Sequence, residues 1–218
     1  MRISPREARQ FAVLGCLRSG TGYMAALFQA FGYDVRHESV KGKDGACSWS
    51  LVPDTCFVSP EVRNFHRQQF AFTYIVHVLR DPLKAVSSIY SKLDVEDWWS
   101  FATEYVPIWG EKGSLEAVIQ LVVGWNKLIK AMGPDVVIKV EEAPRRVASF
   151  LHSLRLRGSR GIEGIHLPPT NVNTKGPVHY YSAEELKELV EPVVFNLLME
   201  MGDEYGYEIG SSERRMSS

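Results

Sequence analysis

The segment from Phe11 to Gly32 limits what this chain can fold into more than any other. It opens with a short apolar run, FAVLGC, and passes through a turn bearing Gly15, Gly20 and Gly22. It then continues as TGYMAALFQAFG, whose apolar residues recur at helical spacing. An apolar run of strand length followed by a 3.6-residue period reads as strand, tight loop, helix. Gly32 is placed to close the helix, and Tyr33 to Glu38 is short and extended in character, so a second strand is expected there.

The same grammar returns further on. Phe72 to Leu79 (FTYIVHVL) is continuously apolar and rich in β-branched and aromatic residues, as in a strand covered on both faces. Asp81 can cap, and Pro82 can occupy the first turn of, a helix through KAVSSIYSKL. A helix is expected over about Ser114 to Met132, broken by Gly133-Pro134 before a strand at Asp135 to Val140, and then a helix over Arg145 to Leu154. Ser39 to Pro60, rich in Gly, Ser, Asp and Lys around Trp49, shows no lasting period and reads as a loop that could serve as a lid. Arg155 to Tyr181 reads as a long basic loop. Ser182 caps a C-terminal helix that Pro192 kinks or divides.

Repeated strand–helix alternation without internal repeats predicts a single α/β domain over residues 1–210, with a mainly parallel central sheet, helices on both faces, and a polar tail at 211–218. In such sheets ligands bind beyond the carboxyl ends of the strands, where both GCLRSGTG and Arg80-Asp81-Pro82 fall.

Composition removes several classes of function. The net charge of −1 over 218 residues gives no general attraction to nucleic acid or to an anionic membrane surface. The three cysteines, Cys16, Cys47 and Cys56, have neither the even count nor the spacing of a disulfide framework or a zinc site, so free thiols in a reducing, cytoplasmic compartment are expected. The polar N-terminal residues lack the apolar core of a signal segment, and runs such as Ala117 to Val123 are far shorter than the roughly 20 residues of a membrane span. No pattern calls for a metal.

The glycines of GCLRSGTG let backbone amides and the following helix N-terminus converge on one anion. A nucleoside-triphosphate loop needs Lys and then Ser or Thr after its second glycine, whereas Thr21 and Gly22 follow Gly20 here. What Arg18-Ser19-Gly20-Thr21 resembles is the 5′-phosphosulfate loop of sulfotransferases that use 3′-phosphoadenosine 5′-phosphosulfate (PAPS), in the Arg-bearing form of the tyrosylprotein and carbohydrate sulfotransferases. Arg80-Asp-Pro-Leu-Lys-Ala-Val-Ser-Ser88 resembles the same family's 3′-phosphate motif, an Arg at a strand end with a Ser eight residues on, and Ser87 could substitute for Ser88 in another register. Trp125 and VVIKVEEAP fall where the family has its C-terminal strand and acidic loop.

The resemblance implies a P-loop-like sulfotransferase fold. Arg18, Ser19, Gly20, Thr21 and Gly22 would surround the phosphosulfate, Tyr23 would lie against the adenine, Arg80 and Ser88 would hold the 3′-phosphate, and Lys175 in Asn173-Thr174-Lys175-Gly176 would close over it. Gly22 departs from the family's usual second Thr or Ser. The implied reaction moves a sulfuryl group from PAPS to a hydroxyl or amine of a small-molecule or glycan acceptor. Arg18 would stabilise charge on the leaving phosphate, since guanidinium keeps its proton. Glu38 occupies a position like that of the tyrosylprotein sulfotransferases' base; His37 and His66 are alternatives, and His77, inside an apolar strand, reads as a core residue. Of the tryptophans, Trp49 is the candidate for an acceptor pocket. Two other readings stay open: a non-catalytic nucleotide-binding or interaction module on the same fold, and a small-molecule kinase of the P-loop type.

Overall fold

The computed structural model describes residues 7–53, 70–93, 96–156, 162–170 and 178–209. The chain is α/β. Five strands, β1 (Glu7–Gly15), β2 (Val35–His37), β3 (Gly45–Ser48), β4 (Phe70–Leu79) and β5 (Val136–Lys139), form one sheet in the order β2-β3-β1-β4-β5. Every pairing is parallel, so all five carboxyl ends lie along the same edge. Strands β2 and β3 lie on one side of β1 and β4 and β5 on the other, which makes the end of β1 the point where the winding reverses.

Contacts divide the chain into two compact units, one of residues 1–79 with 128–175 and one of 80–127 with 176–218. The first contains the sheet, with α1 (Thr21–Ala30) and α5 (Ala143–Ser153) packed against each other. Its core centres on Phe11, which is fully buried, with ring centroids 5.0 Å from Phe28 and 5.2 Å from Tyr33. The apolar stripe of α1 (Met24, Leu27, Phe28) meets that of α5 (Val147, Phe150, Leu151) in this core. Each such side chain, fully buried, stabilises the fold by about 1.5–3 kcal/mol before chain entropy is counted.

The expected loop from Ser39 to Pro60 is corrected in part: Gly45–Ser48 is a fully buried strand between β2 and β1. Its brevity and small side chains hid it, and the small side chains are required. A Cβ on Gly45 would stand 2.1 Å from the carbonyl oxygen of Phe11 on the neighbouring strand. Residues 54–60 of that loop, with Cys56, lie outside the described residues, as do 210–218.

The connection from β2 back to the start of β3 uses only residues 38–44, whereas parallel strands are ordinarily joined by a dozen residues or more. Two features allow it. Glu38 takes up a left-handed conformation, φ 46°, and turns the chain at once. Gly42 passes so close to the strands that a Cβ would lie 2.3 Å from the Gly45 carbonyl oxygen and 2.5 Å from that of Asp34. Asp34 also accepts the amide of Lys43, and Asp44 accepts the amide of Asp34, which clasps the loop at its base.

The second unit is helical: α2 (Pro82–Tyr90), α3 (Glu96–Thr103), α4 (Leu115–Ala131) as far as Lys127, α6 (Ala183–Leu189) and α7 (Pro192–Glu204). Asp81 caps α2 as expected, accepting from the amides of Leu83 and Lys84, with Pro82 in the first turn. Ser182 and Glu185 complete a reciprocal capping box on α6, and Pro192 separates α6 from α7. Among the described residues no helix is long and apolar enough to cross a membrane.

Candidate functional site

The carboxyl ends of β1, β2 and β3, three adjacent strands, bring together most of the sequence-derived candidates of the first unit. After β1 the chain turns tightly, with the Ser19 amide donating to the Cys16 carbonyl at 3.1 Å. Arg18 (φ 59°) and Gly20 (φ 96°) are left-handed on either side of Ser19, a turn of the kind whose amides can form an anion-binding concavity. Gly20 is required twice over, because a Cβ would also stand 2.7 Å from Cγ2 of Val140, beyond the end of β5.

Helix α1 begins at Thr21 with Gly20 as its cap residue, and among the described residues no side chain caps it. Its first amides therefore keep unspent donor capacity at the positive end of the helix dipole. Ser19 is 2% exposed, and among the described residues its hydroxyl has no hydrogen-bond partner. A buried hydroxyl without a partner beside an uncapped helix start fits an anion supplied from outside the chain.

Next to this loop is a chain of polar contacts. The Thr21 hydroxyl lies 3.2 Å from Nε2 of His37, and the same nitrogen is 3.5 Å from Oε1 of Glu38. The other carboxyl oxygen, Oε2, accepts from the Ser48 hydroxyl at 2.5 Å. Trp49 offers its amide and Ser50 its hydroxyl to the same carboxyl. Ser48 in turn lies 2.9 Å from the Ser50 hydroxyl and accepts the Ser50 amide at 3.0 Å. Beneath them the fully buried Cys47 thiol donates to the Thr21 carbonyl.

Burial pushes the Glu38 carboxyl up to about 7, against the hydrogen bonds from Ser48, Trp49 and Ser50, which favour its charged form. Partial burial, with 37% of the side-chain surface still exposed, holds His37 below its ordinary value and favours the neutral imidazole at neutral pH. Burial first, and the Glu38 carboxyl second, drive the Cys47 thiol well upward, so Cys47 is an inert thiol here. Cys16 is likewise buried and pushed up to about 12.

The remaining candidates are placed as follows. Gly22 lies in the first turn of α1. Tyr23 is 6% exposed and packs in the core cluster, so its ring presents little surface to an adenine. His77 is fully buried, as the apolar strand implied. Trp49 is half-buried between Ser48 and Ser50, whereas Trp98, Trp99 and Trp125 are buried. Arg80 follows the last residue of β4 and Ser88 lies on α2; both belong to the second unit.

In that unit Ser87 is committed to structure, donating to the Leu83 carbonyl at 2.6 Å and accepting the Tyr181 amide at 3.0 Å. Ser88, one residue on, is buried on the same helix. Tyr181 also sets its ring 6.0 Å from that of Tyr90, which anchors residues 178–182 on α2. Lys175, Asn173, Thr174, Gly176 and His66 lie outside the described residues.

Ser48 and Ser50 are the residues that sequence reasoning missed. Four small residues in a strand buried on both faces carry no alternating pattern. No protein-family model matches the chain, and none of the curated proteins matches it.

Proposed function

We propose that the protein is a PAPS-dependent sulfotransferase that acts on an acceptor hydroxyl or amine. The observation that carries this reading is the pairing of a glycine-lined anion cradle after β1 with a raised carboxyl after β2, at the same edge of the sheet with β3 between them. One of the two binds a charged leaving group and the other takes a proton. The partnerless Ser19 hydroxyl, the uncapped start of α1 and the left-handed turns at Arg18 and Gly20 support a bound phosphosulfate.

In this reading Arg18, Ser19, Gly20, Thr21 and Gly22 hold the 5′-phosphosulfate. On the sequence motif alone, Arg80 holds the 3′-phosphate as a bidentate fork and Ser88 donates its hydroxyl. When bound, PAPS supplies the sulfuryl group: a bond forms from the acceptor atom to sulfur, and the bond from sulfur to the 5′-phosphate oxygen breaks with its electron pair. Arg18 stabilises the charge that gathers on the leaving phosphate. Glu38 removes the acceptor's proton, for which a carboxyl with a value near the working pH is well matched.

His37 is a bridge in this scheme. Its Nε2 is taken up by Thr21 and Glu38, and its neutral ring ties the base to the anion loop. A panel of phenol, sugar, amine and peptide acceptors, incubated with PAPS and in parallel with Mg·ATP, tests the reading by mass spectrometry. Gain of one SO3 group by an acceptor, abolished in Glu38→Gln, is expected. Transfer of phosphoryl from ATP instead would replace the reading with a kinase.

A further inference from the structure

Glu38 has two carboxyl oxygens with different surroundings. Oε1 faces His37 at 3.5 Å, whereas Oε2 is bound to Ser48, a residue with no exposed surface. Ser48 has a single proton. When Glu38 is ionised that proton goes to Oε2, and the one hydroxyl proton of Ser50 is shared between the carboxyl and the Ser48 oxygen 2.9 Å away. When Glu38 is protonated on Oε1, Oε2 keeps its lone pairs and still accepts from Ser48. The Ser50 amide occupies the second acceptor position of Ser48 in both cases. The bond from Ser48 to Oε2 is thus kept in both protonation states.

We propose that Ser48 and Ser50 are positioning residues, a two-hydroxyl clamp that holds Oε2 of Glu38 through both protonation states and leaves Oε1 as the oxygen that takes the acceptor's proton. The inference rests on Glu38 being the base of the sulfuryl-transfer reading. The clamp is tied to the fold, because Ser48 closes β3 and the left-handed turn at Glu38 aims its carboxyl back over that strand end. The groups that face the carboxyl are His37 from β2, Cys47 and Ser48 from β3, and Trp49 and Ser50 just beyond, with Thr21 of α1 behind His37.

The test is a pH titration of carbon-13-labelled glutamate side chains by NMR, with Glu38→Gln identifying the Glu38 signal, in wild type, Ser48→Ala, Ser50→Ala and Ser48→Thr. Loss of a hydrogen bond to the charged form moves the midpoint upward, by on the order of one pH unit for Ser48→Ala and less for Ser50→Ala. Ser48→Thr keeps the hydroxyl and restores the wild-type midpoint. With an acceptor in hand, Ser48→Ala lowers kcat about tenfold at unchanged KM for PAPS and shifts the acid limb of the pH profile to higher pH.

An unshifted Glu38 midpoint in folded Ser48→Ala and Ser50→Ala overturns the clamp. Should Ser48→Ala not fold, Ser50→Ala decides the matter alone. Adenosine 3′,5′-bisphosphate binding, measured on the same samples, separates the two ideas. A shifted midpoint without any binding supports the clamp and overturns the sulfuryl-transfer reading, whereas binding with an unshifted midpoint overturns the clamp alone.

Discussion

Nε2 of His37 lies 3.2 Å from the Thr21 hydroxyl, so the end of β2 is joined directly to the first turn of α1, where the anion loop delivers its amides. The carboxyl one residue further on is thereby set beside that loop. On the proposed reading, this places the base and the loop that would hold the phosphosulfate on the same side of the sheet, as transfer between two bound partners requires.

Replacing Glu38 by Gln keeps the size of the side chain and removes its basicity. Turnover is expected to fall by about two to four orders of magnitude, the usual contribution of a positioned base. Nucleotide affinity, measured on the same preparation, should stay within a few-fold of wild type. Equal losses of binding and turnover would place Glu38 in structure rather than chemistry.

The raised carboxyl also makes a prediction about stability. Its folded value of about 7 lies above the ordinary 4.5, so between those pH values the folded chain holds a proton that the unfolded chain has released. The contribution is complete below about pH 4.5 and is lost as pH rises through 7. Wild-type Tm should therefore fall relative to that of Glu38→Gln between pH 5 and pH 8. A constant difference in Tm across that range would show that the carboxyl is not perturbed. In turnover the same group gives kcat/KM that rises with pH through about 7.

Gly20→Ala sets a side chain at φ 96° and drives its Cβ toward Val140, 2.7 Å away. The left-handed conformation alone costs about 1–2 kcal/mol, and the loop must shift to relieve the contact. Urea melts should show a loss of at least that size, together with weaker anion binding. A variant as stable as wild type would mean that the turn is not held as described.

The cap of α2 offers a control away from the chemistry of Glu38. Asp81→Ala removes the acceptor for the Leu83 and Lys84 amides and should cost about 1 kcal/mol in urea melts. Asp81→Asn, which keeps a capping oxygen, should recover most of it.

The sequence was legible where one residue pattern determined one structure. FAVLGC, FTYIVHVL and DVVIKV became β1, β4 and β5, because continuous apolar runs are what buried parallel strands require. Asp81-Pro82 and Ser182 marked helix starts for reasons confined to a single turn. β3 was illegible because tertiary packing selects its residues: Gly45 must be bare against Phe11, and Ser48 is there for Glu38. Glu38 itself could be picked out by its place at a strand end. Its left-handed turn could not, since that follows from the seven-residue return to β3, a pairing the sequence concealed.

On the proposed function, the cradle after β1 belongs to a nucleotide carrying a 3′-phosphate. Calorimetric titration with adenosine 3′,5′-bisphosphate, adenosine 5′-monophosphate and ATP, on wild type and on Arg80→Ala, tests it most directly. Wild type is expected to prefer the bisphosphate by about a hundredfold, the equivalent of about 2.7 kcal/mol, and Arg80→Ala to abolish the preference. Equal affinity for the mono- and bisphosphate, or a preference that survives in Arg80→Ala, would contradict it.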